Sequence, residues 1–306
     1  MTYSIVARDP ANGWLGVAVQ SHYFGTGRVV TWAEAGVGAV ATQSIPEVAY
    51  GPRGLERMGS GRSASEALGS LLAEDPQRAL RQVGMIDAQG KVAVHTGEHC
   101  LAEAGHATGE QVSVQANLME RATAWGAMLG AYEKATSEPF PHRLLAALDA
   151  AEHEGGDLRG RQSAALLVVS AIRSDTPWRE RLVDLRVDDH PNPLGELRRL
   201  LELHVAFERL ARIFVSGILF GPLSAESPSL AHALAELDAT QAALEPNREP
   251  TFWQAVLLAK AGRTAEARAK LSRACETNPR WSLLVERLVP SGIIPPDAPL
   301  LAALRR

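Results

Sequence analysis

Thr2 is the residue whose position points most directly to chemistry. Methionine aminopeptidase removes Met1 ahead of a small second residue, and the freed threonine would then carry a hydroxyl and an α-amine side by side at the start of a core strand. An unperturbed α-amine has a pKa of about 8, so near neutral pH a usable fraction is unprotonated and can accept the hydroxyl proton. Nucleophile and base would be one residue. Threonine is also an ordinary strand residue, because β-branched side chains suit a pleated backbone, so spacing alone leaves both readings open.

Other reactive side chains are few. His95, His99, Cys100 and His106 form the densest set of metal-ligand types, but their spacing matches no closed zinc pattern. No metal or cofactor is expected. Cys100 is a second candidate nucleophile if Thr2 is not the first. Asp157, Arg159 and Arg161 form a charged approach to a strand, where arginine could hold a substrate carboxylate bidentately or an ion pair could pin the loop. Asp184, Arg186 and Asp188 alternate with Val183, Leu185 and Val187, which reads as the solvated face of an edge strand. Gly36-x-Gly38 has no helix close behind it and does not read as a phosphate loop.

These groups need a scaffold. Residues 2–7 alternate, with Tyr3, Ile5 and Ala7 on one face and Thr2, Ser4 and Val6 on the other, and residues 9–13 supply turn chemistry before a second strand over 15–20. Further strands are predicted over residues 28–32, 37–43, 82–87, 91–95, 111–118, 161–169 and 182–187. Helices are predicted from Gly51 onward, behind Ser63 with Glu66 as a capping box, and over 120–135 and 141–154. Paired strands, paired helices and paired strands in succession suit antiparallel sheets covered by helices, and a four-layer αββα sandwich is the simplest arrangement.

From Pro191 strands disappear and residues 194–214 are apolar at helical spacing. Residues 251–279 read as two helices joined at Gly262-Arg263 with small residues at close contacts and an Asn-Pro exit, which resembles a tetratricopeptide repeat. The expected divisions are an α/β (α+β) domain over 1–205, a linker helix and helical region over 206–279, and a short module over 280–306.

At 306 residues the chain is long enough for two cores, and its net charge of -4, spread without a basic stripe, argues against a nucleic-acid partner. There is no signal-like start and no apolar run of membrane-spanning length. A cytoplasmic protein without a membrane partner is expected, with Cys100 and Cys275 as free thiols. The apolar residues 214–220 suggest a surface covered by a second copy of the chain.

Several stretches together resemble a known family: residues 2–10, 36–43, Tyr50-Gly51-Pro52-Arg53-Gly54, Gly105-His106, residues 113–118, residues 155–165 and residues 183–191 are similar to the family catalogued as domain of unknown function 1028. The resemblance runs in order over about residues 1–205. That family is placed with the N-terminal nucleophile (Ntn) hydrolases, so the resemblance implies an αββα sandwich and hydrolysis of a small amide at its open end, with Thr2 as nucleophile. It implies Ser21 and His22 as supporting groups and the backbone N–H groups near Thr42 and Gln43 as oxyanion donors. Cys100 and His106 fall on family positions and join Asp157, Arg159 and Arg161 as substrate-binding candidates. Residues 278–301 resemble a short peptidoglycan-binding module that accompanies the family, in which Trp281 could stack on a sugar or close the end of the helical repeat. The non-catalytic alternative is a binding or structural module whose helical tail docks a protein partner.

Overall fold

A computed structural model describes residues 2–294, 296 and 301. The chain divides into two compact units, Met1–Leu201 and Glu202–Arg306.

The first unit opens on the hairpin β1 (Thr2–Arg8) and β2 (Leu15–Ser21), followed by one helical turn α1 (Gly27–Val30), then β3 (Thr31–Glu34) and β4 (Gly38–Ser44). Two helices come next, α2 (Tyr50–Gly59) and α3 (Ala64–Glu74). Ser63 and Glu66 form the expected capping box: the Ser63 hydroxyl accepts the Glu66 N–H at 3.3 Å while the Glu66 carboxylate accepts the Ser63 N–H at 2.8 Å. Four strands, β5 (Arg81–Asp87), β6 (Val92–Thr96), β7 (Gly105–Gly109) and β8 (Val112–Asn117), precede helices α4 (Ala124–Lys134) and α5 (Phe140–His153). The edge hairpin of β9 (Ser163–Val169) and β10 (Arg181–Val187) follows, and α6 (Pro193–Val215) begins at the end of this unit.

All pairings are antiparallel and make two sheets, β10-β9-β2-β1-β8-β7 and β3-β4-β5-β6. The sheets pack face to face, with α2 and α3 against the four-stranded sheet and α4 and α5 against the six-stranded one. Strand alternation sorts the faces. Val6, Leu15, Val17 and Val19 of one sheet meet Ala39, Ala41 and Ile86 of the other, whereas Val40, Val83 and Met85 turn toward Leu55, Met58, Leu68 and Leu71 of the helices. Fully burying one such aliphatic side chain contributes about 1.5–3 kcal/mol, so the apolar part of the inter-sheet layer fixes the register of both sheets.

Two elements differ from the sequence-based expectation. The strand expected over residues 28–32 begins only at Thr31, because Gly27–Val30 forms a turn closed by Thr31 Oγ1 donating to Gly27 O at 2.7 Å. Gly27 permits it: a Cβ there would stand 2.4 Å from Ala165 Cβ. Strand β7 was not expected, since Gly-His-Ala-Thr-Gly has no apolar alternation of its own; it forms by pairing with β8 across a two-residue turn in which Gln111 takes φ +57°. Strand β10 is the sheet edge, as read, with Asp184 and Arg186 exposed.

The second unit is helical, with α7 (Pro228–Leu244), α8 (Glu249–Lys260), α9 (Thr264–Thr277) and α10 (Trp281–Leu288). Phe252, Val256, Leu257, Leu230, Leu237, Leu271 and Val285 form its core. Gly262 turns α8 into α9 at φ +77°, as a glycine after a helix C-terminus does. The Trp281 ring stacks on Phe252 with centroids 4.9 Å apart, which closes the end of the helical hairpin and takes that face of the ring out of use for a sugar. Of the module expected over 280–306, residues 295, 297–300 and 302–306 lie outside the described residues. Among the described residues no helix is long and apolar enough to cross a membrane.

Candidate functional site

Not all of the inter-sheet layer is apolar. Toward the Thr2 end of β1 the inward positions are Thr2 and Ser4; their neighbours are Gln43 of β4 and Gln82 of β5 across the layer, and Ser113, Gln115 and Asn117 of β8 beside them in the same sheet, all buried. Such groups are tolerated inside only when hydrogen-bonded. Ser4 Oγ donates to Gln43 Oε1 at 2.6 Å and accepts from Gln115 Nε2 at 2.7 Å, and Ser113 Oγ donates to Gln115 Oε1 at 3.1 Å. Gln43 Nε2 donates to Thr2 O at 3.0 Å and to Gln82 Oε1 at 2.7 Å. Gly84 makes room for this crossing, since a Cβ there would stand 2.5 Å from Gln115 Oε1.

The network grips the backbone of Thr2. Its carbonyl also receives Asn117 Nδ2 at 3.3 Å, its strand partners Asn117 directly, and its Oγ1 lies 3.0 Å from Ser21 Oγ at the end of β2. Beside it opens a cavity of about 270 Å³. Thr2, Ser21, Tyr23, Thr26, Gln43, Ser44, Asn117 and Arg159 give its polar lining, and Val29, Val30, Ile45, Pro46, Leu101 and Leu118 its apolar wall. Among the described lining residues no carboxylate, imidazole, thiol or lysine occurs, and Arg159 is the one formal charge. The described lining therefore offers hydroxyls with no carboxylate, imidazole, thiol or lysine beside them. Hollows of about 540 Å³ near Trp32 and about 430 Å³ near Arg212 are larger, but no buried polar side chain lines either.

A family model described as a family of unknown function, DUF1028, matches residues 2–197. The chain belongs to the DUF1028 family. The crystal structure of protein SPO2555 from Silicibacter pomeroyi, assigned to the same family, is similar, with 32% sequence identity and a TM-score of 0.58 over 66% of this chain and 88% of that one. No curated protein matches. Every described residue lining the cavity beside Thr2 falls inside the DUF1028 segment, whereas α7 to α10 lie beyond it.

Of the residues singled out from the DUF1028 sequence, the fold brings Thr2, Ser21, Gln43 and Arg159 together at the cavity. His22 is not among the lining residues, and its backbone N–H donates to Asp157 Oδ2 at 3.0 Å. Asp157 also accepts the Arg159 N–H at 2.8 Å and lies 3.2 Å from Arg159 Nη2, so this buried carboxylate pins the exit of β2 to the loop before β9. Arg161 sits on the helix side, its Nε 2.5 Å from Glu152 Oε2. Tyr3 donates its hydroxyl to the same carboxylate, and burial, reinforced by Glu152, holds the phenol well above its ordinary pKa, so it stays protonated and is no base for its neighbour. Thr42 donates from Oγ1 to Glu47 O at 3.1 Å. The β3–β4 ladder stops at Ala41, so Thr42, Gln43 and Ser44 overhang, and alternate backbone N–H groups along the overhang point off that edge. Cys100 donates its thiol to Arg81 O at 3.3 Å, and only its neighbour Leu101 reaches the cavity wall. His106 Nδ1 is 2.9 Å from Thr96 Oγ1, outside the cavity, its pKa lowered by burial and by His95.

Sequence reasoning missed Ser44 and Asn117. Ser44 and Leu118 hold left-handed backbone, at φ +74° and +55°, as β4 and β8 end on the cavity. Such conformations cost about 1–2 kcal/mol for a residue with a Cβ and tend to persist where a site needs them. Ser44→Gly is accordingly expected to raise stability by about 0.5–1 kcal/mol in urea unfolding; a lower midpoint would mean that contacts of the serine side chain, not its backbone, set the turn.

Proposed function

We propose that this DUF1028 chain is an Ntn-type amidohydrolase, a four-layer αββα sandwich that hydrolyses a small amide through a Thr2 freed by removal of Met1. The observation that carries this reading is the Thr2 hydroxyl, 3.0 Å from Ser21 Oγ, beside a cavity whose described lining residues include no carboxylate, imidazole, thiol or lysine. The α-amine of the same residue supplies what the lining lacks.

In the proposed reaction the amine takes the Oγ1 proton as Oγ1 bonds to the substrate carbonyl carbon. The carbonyl oxygen, now an anion, is held by the backbone N–H of Thr42 on the free edge of the β4 overhang, the N–H of its neighbour Gln43 being turned to β5. The resulting ammonium returns its proton to the leaving nitrogen as the C–N bond breaks, giving an ester on Thr2. Water, deprotonated by the same amine, then releases the acid and regenerates the hydroxyl. Ser21 orients Oγ1, and Arg159 at the rim favours an anionic substituent. The helical unit, with its tetratricopeptide-like hairpin, serves a protein partner or a second copy of the chain.

Intact mass and N-terminal sequencing of protein purified from cells test the first requirement. The expected product begins at Thr2. Retention of Met1 in the folded protein would leave no free amine next to the hydroxyl and would make the sandwich a binding module instead.

A further inference from the structure

The amides under Thr2 are orientationally fixed, and the chain of donors and acceptors they form stops at Asn117. Gln82 Nε2 faces the carbonyls of Gly105 at 3.1 Å and Ala116 at 2.9 Å, which only accept, so Gln82 Oε1 must face Gln43 Nε2 at 2.7 Å and Asn117 Nδ2 at 2.9 Å. Asn117 Nδ2 likewise faces Thr2 O at 3.3 Å. Turning any of these amides over would set oxygen against oxygen. Asn117 Oδ1 is therefore an acceptor by construction. It is buried and has no hydrogen-bond partner among the described residues, on a side chain that is 1% exposed and lines the cavity. A buried carbonyl oxygen without a donor costs about 1–3 kcal/mol, a penalty that a donor arriving through the cavity would remove.

We propose that Asn117 Oδ1 is the receptor for a ligand amide N–H, so that the site selects primary and secondary amides over tertiary ones, with the apolar acyl group lying against Val29, Val30, Ile45 and Leu101. This rests on the cavity being the substrate site, and does not require Thr2 to be the nucleophile. A site built around a hydrogen bond rejects an analogue that lacks the donor more strongly than an apolar pocket rejects an extra methyl, because the buried acceptor is then left bare. Asn117 is thus a specificity-determining residue.

Binding separates this from hydrolysis. The full-length Thr2→Ala protein is titrated by calorimetry with hexanamide, N-methylhexanamide and N,N-dimethylhexanamide. The first two are expected to bind, and the dimethyl compound about 10- to 100-fold more weakly. Asn117→Leu in the same background removes the discrimination; should that variant not fold, the three ligands on the Thr2→Ala protein decide alone. Equal affinity for N-methyl and N,N-dimethyl compounds overturns the proposal, as does failure of all three to bind or discrimination that survives Asn117→Leu. A water held on Asn117 Oδ1 and kept when hexanamide binds, seen crystallographically, overturns it equally. Retention of Met1, by contrast, would end the hydrolase mechanism and leave this binding result standing.

Discussion

Thr2→Ala lowers amide hydrolysis by about 10³-fold or more while the protein stays folded. The magnitude follows from the loss of a nucleophile that works as a unit with its base. Ser21, Tyr23, Thr26 and Ser44 also bring hydroxyls to the cavity, but none carries an amine, and the described lining residues include no carboxylate, imidazole, thiol or lysine to activate them. Thr2→Ser keeps both functional groups and is expected to retain most of the rate, which separates the need for a hydroxyl from the need for a strand residue. Activity should be lost as pH falls, because the amine that serves as base is then protonated. Thr2 is 6% exposed, so removing its hydroxyl and methyl should cost no more than about 2 kcal/mol, checked by thermal melting. Hydrolysis that survives Thr2→Ala would end the proposal. It would not readily pass to Cys100, whose thiol is bound to Arg81 O outside the cavity.

The parts of the scaffold that were legible in the sequence are those with local causes. The opening hairpin follows from alternation and a turn, and α3 from a capping box contained within four residues. Strand β7 depends on pairing with β8 across a two-residue turn and the α1 turn on Ala165 far along the chain, and the composition of neither segment gives a sign of it. The site was half legible. Alternation separates the two faces of β8 but does not say which face meets water, and polar residues on a strand are ordinarily assigned to solvent. The available signal was chemical type: Ser113, Gln115 and Asn117 are uncharged, as are Gln43 and Gln82, and uncharged amides can be buried if satisfied where lysine or glutamate would not be. Arg159 and Arg161, two residues apart, looked equivalent, yet one lines the cavity and the other binds Glu152 on the helix side.

If satisfaction of buried amides is what holds the site, then the same substitution at two glutamines should have opposite signs. Gln82 and Gln20 are both 0% exposed on central strands. Gln82 Nε2 serves Thr96 Oγ1 at 3.0 Å and the carbonyls of Gly105 and Ala116, and its Oε1 receives Gln43 and Asn117. Gln82→Leu strands several of these groups at once and is expected to cost about 3 kcal/mol in urea unfolding, and to impair hydrolysis as well, since Gln43 and Asn117 hold the Thr2 carbonyl. Gln20, which pairs with Tyr3 on β1, has neither amide atom satisfied among the described residues. Gln20→Leu removes an unpaired polar group without stranding a partner, so it is expected to be neutral or to stabilise by about 1 kcal/mol. Equal losses at both positions would mean that shape, not hydrogen bonding, governs this interior, and the fixed orientation of Asn117 would lose its physical basis.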